Sequence, residues 1–469
     1  MGGTGRTGGM GRTGWMGRIG WKGRVGRKGS MGKTVLVVLA LFVPPRPAFP
    51  APPAFPASPA LALAQIPFEQ AAVDLSSTDA STRLRTVRML KQAAYPEAAV
   101  PIAALVTDAQ DDIQLEAIAA ELNIFLAERI VPRKRIGLVV EVRSAVQAEP
   151  AFSAGPNALG PRPVPPDVLT ALRMAARDEN PRVAIEALYA FGVLAIQPGG
   201  SARLDLLRAA GPDLAAFIGS SDPALRHAAV RVLGRVFAKR AQDETIESTV
   251  GDAVITALND DDRAVKTAAM AALGAMRYDR GVQALTDLFT YYGKGDAAEA
   301  ALDALAHIAH VASVPVFTAQ LASKTAALRG IAMEGLARLG DASQLAAIQA
   351  AVDKERDRTV TLAGAFALVM LGNASTDRVA DSLTRPKLRE QAKRYLIELA
   401  PGRTASFAHQ LLETDPQIRL DMIDVLGLAG DPAAIAVVEP LTKDRDPEVA
   451  RAAERAVARL RLFAAKPVS

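Results

Sequence analysis

Apolar residues recur at i, i+4 and i+8 in short segments along this chain, the spacing that lines one face of an α-helix. The clearest segment runs Asp222-Pro223-Ala224-Leu225-Arg226-His227-Ala228-Ala229-Val230-Arg231-Val232-Leu233-Gly234, with Leu225, Ala229 and Leu233 on the stripe and a glycine directly after it. Equivalent anchors fall at Thr82, Gln114, Val183, Leu225, Val265, Ala297, Leu328, Val360, Leu388, Ile418 and Val449, separated by 32, 69, 42, 40, 32, 31, 32, 28, 30 and 31 residues. A near-constant period in this range is the mark of stacked supersecondary units, none of which can bury its apolar face alone. The expected fold is all-α: an α-solenoid of about eleven helical hairpins forming a curved superhelix over residues 65–463, with a short tail at 464–469.

Each unit is expected to pair two helices. The first is an apolar-rich segment such as Gly211–Ile218 or Asp252–Leu258, and the second carries the stripe. The turn between them often holds Asp-Pro, as in Asp222-Pro223, Asp415-Pro416 and Asp446-Pro447. Aspartate at an N-cap accepts orphan amide hydrogens, and proline at N1 loses no intrahelical bond. Gly340, Gly372 and Gly430 mark expected helix ends. Strand patterns are scarce, and Ile136–Val142 is taken as helix within the array.

Two polar positions recur with the stripe. Aspartate stands three residues before the anchor at Asp79, Asp222, Asp262, Asp357, Asp415 and Asp446. Arginine follows it at Arg83, Arg226, Arg329, Arg389 and Arg419, with Lys266 in another unit. These predict a capping and pairing ladder within or between repeats. Taken together, the pattern Asp-Pro-x-Leu-Arg-x-x-Ala-x-x-x-Leu-Gly at 222–234, repeated at 415–427 and less completely at 446–458 and 262–274, resembles the HEAT repeats. The period is closest to the short form also found in phycobilin lyase subunits. The resemblance implies a right-handed superhelix that holds a partner protein on a concave side lined by the second helices.

The stack is interrupted between the second and third anchors. A basic stretch at Arg129 and Arg133-Lys134-Arg135 precedes a Pro/Gly/Ala-rich segment, 147–166, expected to be a mobile loop. Composition changes the picture mainly at the N-terminus. Formal net charge is +5, yet residues 1–64 hold nine Lys/Arg and no acid, leaving residues 65–469 at −4. Gly recurs at every third position from Gly2 to Gly32 without proline, so 1–30 are expected to be a low-complexity extension rather than a collagen-like rod. The apolar run Thr34–Val43 has the length of a secretory h-region and is too short to span a bilayer. With the Pro/Ala stretch ending in Ala62-Leu63-Ala64, it makes 31–64 an expected signal region, cleaved after Ala64, in an exported, periplasmic protein.

Candidate chemistry is sparse. His307 and His310 have a spacing that can share a metal, but no carboxylate follows at a ligand spacing and the chain has no cysteine. Gly293-Lys294-Gly295-Asp296 lacks the strand and Lys-Ser/Thr ending of a phosphate loop. Asp260-Asp261-Asp262 lacks the spaced ligands of a calcium loop. The acidic body, without tryptophan and with dispersed aromatics, argues against a nucleic-acid partner. No catalytic residue, metal or cofactor is expected, and no stable membrane span. The expected role is a non-catalytic scaffold or adaptor of the bacterial cell envelope. It would bind another protein through concave-face residues including His227, Arg231, Thr267, Glu334, Asp421 and Asp424, with charge reversal at the two aspartates weakening capture at unchanged stability. The alternative is an accessory subunit like those of phycobilin lyases, cradling a tetrapyrrole or its acceptor protein.

Overall fold

The computed structural model describes residues 68–126, 148–196, 201–238 and 245–464, the side chains of 157 and 201–204 excepted. The extension, the signal region, the basic stretch at 129–135 and the segment Ile136–Val142 lie outside the described residues. Residues 65–469 form one compact unit. Eleven second helices stand at the eleven anchors: Ala80–Ala93, Asp111–Phe125, Pro181–Leu194, Pro223–Val236, Arg263–Met276, Asp296–Ile308, Ala326–Arg338, Arg358–Met370, Arg389–Leu399, Pro416–Ala429 and Pro447–Ala464. They are numbered below as repeats 1 to 11. Each packs on the second helix of the next repeat, and the buried apolar residues join into one continuous core. The fold is therefore an all-α solenoid. Among the described residues there is no strand beyond an isolated antiparallel bridge between Leu126 and Leu159.

The first helices are less regular than their partners. In repeat 4 the helix starts upstream of the expected segment and spans Ser201–Ala216 with Pro212 inside it. In repeat 10 two 3-10 turns, Thr404–Phe407 and Gln410–Leu412, replace a helix. The tightest contacts run along the second helices. Gly234 permits one of them: a Cβ there would lie 2.7 Å from the Cα of Ala272 in the next repeat, a backbone atom with no freedom to yield.

The ladder forms, with its partners redistributed. All six recurring aspartates cap their helices, each accepting an amide hydrogen two or three residues on, as in Ala224 N to Asp222 at 2.8 Å. The arginines reach forward to a different acid, two residues before the next cap: Arg83 to Asp108, Arg226 to Asp260, Arg329 to Glu355 and Arg419 to Asp444, at 2.6–3.1 Å. The same guanidinium donates to a carbonyl six residues back, such as Ser77, Ser220, Ser323 or Glu413. One side chain thus ties its own turn to the next repeat. The Arg329 guanidinium holds the Glu355 carboxyl down at about 2. Arg389 keeps the bond to the carbonyl six residues back, that of Leu383, but departs in its acid, facing Asp421 of the next second helix.

Helix ends follow the glycines: Gly340, Gly372 and Gly430 have φ of +71°, +75° and +73°. Ala94, Arg277 and Ala309 take the left-handed conformation without glycine. Their recurrence at helix ends makes this a property of the turn between repeats rather than of one site.

One acid sits inside the stack without a partner. Glu121 of repeat 2 is fully buried, neither carboxylate oxygen has a hydrogen bond, and burial pushes its pKa well up. A folded-state pKa above the unfolded value means stability is greatest below the unfolded pKa and falls as pH rises through the folded one. Glu121→Leu is expected to stabilise the protein at pH 7 by about 1–3 kcal/mol. Urea unfolding at several pH values checks this; a gain that persists undiminished near pH 4 would contradict it.

Candidate partner-binding surface

The segment expected to be a mobile loop at 147–166 contains a helix, Ala148–Ala154, that straps the inner face of the solenoid. Its Pro/Gly/Ala content suggested a loop, but tertiary contacts fix it. Glu186 of repeat 3 accepts the Ala148 amide hydrogen at 2.7 Å, capping the strap. Glu149 meets Arg231 of repeat 4 at 2.7 Å, and Arg231 also donates to Tyr189 Oη at 3.1 Å and Ser153 Oγ at 3.2 Å. Phe152 is buried against Gly192, where a Cβ would come within 2.8 Å of its ring. The Arg235 guanidinium lies 3.5 Å from the Phe152 ring centroid and donates to the Phe152 carbonyl. Burial beside Arg231 lowers Arg235 to about 10, and burial raises Glu186.

The chain then continues across the interior. Gly160 N donates to the Phe125 carbonyl of repeat 2 at 2.7 Å. From repeat 11, Arg459 donates to the Pro156 and Leu159 carbonyls at 2.7 and 3.2 Å. The insertion therefore joins an early repeat to the last one, across 303 residues of sequence.

Recesses open among the described residues beside these second helices. An axial cavity of about 1010 Å³ lies between Pro156 and Leu159 of the insertion and the second-helix ends of the later repeats, among them Arg277, Ala309, Leu339, Met370, Gly430 and Phe463. A groove of about 1070 Å³ runs between repeats 4 and 5. Phe152 and Pro156 wall one side, Ala264, Ala268, Ala271 and Ala275 form its floor, and His227, Arg231, Arg235 and Arg263 stand on it against the single acid Asp262. A smaller recess of about 460 Å³ spans repeats 6 to 9 and is acidic, lined by Glu299, Asp303, Glu334 and Glu398 against Arg338 and Arg394.

The acidic recess rests on a buried network. Arg338 of repeat 7 makes two 2.8 Å bonds to Glu398 of repeat 9 and lies 3.1 Å from Glu334. Tyr395 donates to Glu334 Oε1 at 2.5 Å, and Gln391 donates to Tyr395 Oη at 2.7 Å. The Tyr395 ring stacks on Phe366 of the intervening repeat, with centroids 4.4 Å apart. Despite burial, the Arg338 guanidinium holds the Glu398 carboxyl below the usual range, while burial and Glu334 push the Tyr395 hydroxyl up. Repeat 7 thus contacts repeat 9 directly, past the second helix of repeat 8.

The six candidate residues do not form one patch. His227, Arg231 and Thr267 share the basic groove, and Glu334 lines the acidic recess. Asp421 is not exposed: at 3% relative exposure it faces Arg389 and Lys393 at 3.3 and 3.4 Å and accepts from Gln417 at 3.1 Å. Reversing its charge would set a cation against two others, so the expectation of unchanged stability there is corrected. Asp424 lies 3.9 Å from Lys393, and burial raises its pKa. His307 and His310 are occupied locally: His307 Nδ1 lies 2.9 Å from the Asp303 carbonyl, and His310 Nδ1 accepts from Ala312 N.

Sequence reasoning passed over Phe152, Arg235, Arg338, Tyr395 and Glu398. Only Tyr395 left a signal, an aromatic seven residues past the anchor, where Ala190, Ala272, Ala304, Gly335 and Ala367 stand in other repeats.

Residues 211–292 match the HEAT-repeat family. No curated protein matches the chain. Among solved structures, an engineered protein is 18% identical, over 84% of this chain and 98% of its own, with a TM-score of 0.38. The complex of CpcE and CpcF of phycocyanin lyase from Nostoc sp. PCC7120 is 20% identical, over 53% of this chain and 94% of its own, with a TM-score of 0.38. A computationally designed armadillo repeat protein for modular peptide recognition is 17% identical, over 57% and 97%, with a TM-score of 0.33. These likenesses extend to repeat architecture and no further.

Proposed function

We propose that this HEAT-repeat solenoid is a non-catalytic scaffold that holds another protein on its concave face, in the cell envelope after export. The observation that carries this is the strap. The inner face already holds a short helix of its own chain through an ion pair, a buried aromatic ring and a carbonyl contact, which are the means by which a solenoid holds a foreign segment. Beside it lies an open groove of matching chemistry. Export rests on the apolar run Thr34–Val43 and the Ala62-Leu63-Ala64 signal.

A tetrapyrrole-cradling role is the second reading. Its one favourable observation is the axial cavity, whose volume suits a small-molecule site and whose lining includes Arg277, a cation suited to a carboxylate. The test is affinity capture of the tagged protein from its native host, with cytoplasm and envelope separated first and the N-terminus of the recovered chain sequenced. A mature chain beginning at Gln65, recovered from the envelope with one stoichiometric protein, is the expected result. A coloured preparation from the cytoplasm without a protein partner would replace this reading with the second.

A further inference from the structure

We infer that the insertion is a clasp: its segment 156–161 ties repeat 2 to repeat 11, fixing the span of the solenoid between them and the width of the axial cavity. In a stacked array each repeat touches mainly its neighbours, so small shifts at successive interfaces add up along the stack unless distant repeats are joined. The insertion joins two that are far apart. On one side, Gly160 N donates to the Phe125 carbonyl of repeat 2 at 2.7 Å, and Leu159 pairs with Leu126 in the antiparallel bridge. On the other, Arg459 Nη2 of repeat 11 donates to the Pro156 and Leu159 carbonyls, and the turn Pro156–Ala158 packs on the second helix of repeat 10. The two anchors are one residue apart, at Leu159 and Gly160. Pro156 and Pro161 bracket them and lock φ, so the connection is a strut rather than a slack tether. Leu159 is buried, so water is not at hand to replace the guanidinium at its carbonyl. Pro156 and Leu159 line the axial cavity together with Gly430 and Phe463 of the last repeats, and the clasp holds these walls at their spacing. The device lies within the chain, so its failure would leave the scaffold reading untouched.

The chain has no cysteine, so introduced thiols are labelled without competition. Nitroxides on Asp112→Cys in repeat 2 and Glu454→Cys in repeat 11, both exposed positions, report the clasped span by double electron–electron resonance in the full chain. A second pair on Ala264→Cys and Ala327→Cys, also exposed, reports a short stretch of stack between repeats 5 and 7. Arg459→Leu should broaden the repeat 2 to repeat 11 distance and lengthen its mean by about 5 Å, a sum of interface shifts each below the ~1–2 Å by which packed helices slide. The distance between repeats 5 and 7 should hold. Arg459→Lys keeps the charge without the planar fork and should give a smaller change of the same sign. It carries the test alone if Arg459→Leu fails to fold. An unchanged span, or equal broadening of both pairs, would overturn the clasp. So would an equal lengthening in Asp424→Asn, which removes a charge beside Arg459 and leaves both carbonyl bonds in place.

Discussion

Arg338→Ala is expected to be the most damaging single substitution in the later repeats, costing about 3–5 kcal/mol, because it strands buried carboxylates rather than merely deleting a contact. Arg338 is 5% exposed and serves Glu398 and Glu334 at once. With the guanidinium gone, only the weaker fields of His307 and Arg277 oppose the burial of Glu398. The pH dependence then reverses. In the wild type, Glu398 has a lowered pKa, so its contribution is present above the unfolded carboxylate range and lost as pH falls. In the variant the Glu398 pKa should rise, so the penalty is full at neutral pH and relieved on acidification. The gap between the two proteins should narrow below about pH 5. An array of repeats need not unfold in one step. Hydrogen exchange read over 326–338 and 389–399 therefore supplements urea unfolding. A uniform loss at all pH values would mean that packing, not the stranded charge, carries the effect.

Phe152→Ala should cost the strap about 3–5 kcal/mol, the usual loss for emptying a buried aromatic site. The ring is 3% exposed, packed on Tyr189 and Gly192, with Arg235 over its face. Its removal empties the space left at Gly192 and frees Arg231 and Arg235 to face solvent. The effect should be local, since repeats 3 and 4 also pack on each other directly. Peptide amides of 148–160 should lose protection and become accessible to protease, while the repeats retain theirs. Unchanged protection of 148–160 would show that Glu149, Glu186 and Arg459 hold the segment without the ring.

The two substitutions fall on features of opposite legibility. The hairpin repeat, the aspartate caps and the glycine helix ends all arise within a few consecutive residues, so the chain displays them as a period. The forward reach of the ladder arginines was half-legible: Arg226 was visible as a recurring position, whereas Asp260 as its partner depends on how far one repeat advances over the last. Arg338 and Glu398 are 60 residues apart and meet only through the stacking of repeats 7 to 9. Asp421 shows the same limit from the other side. It was chosen as an exposed concave residue, and the side chains of the preceding repeat, Arg389 and Lys393, cover it.

The strap marks the boundary most sharply. Nothing within 148–160 has a helical period, and its composition suggests a loop. Its helix exists because Glu186 caps it, Gly192 makes room for Phe152 and Arg235 bonds the Phe152 carbonyl, while Arg459 holds the Pro156 and Leu159 carbonyls just beyond it. By itself, the sequence determined the second helices, the repeat length and the local caps, because hydrophobic periodicity and capping are short-range physics. The tertiary structure alone decided which inner-face charges are buried in pairs, which remain open in the groove and where the insertion lies, because burial and ion pairing depend on residues that only superhelical curvature brings together.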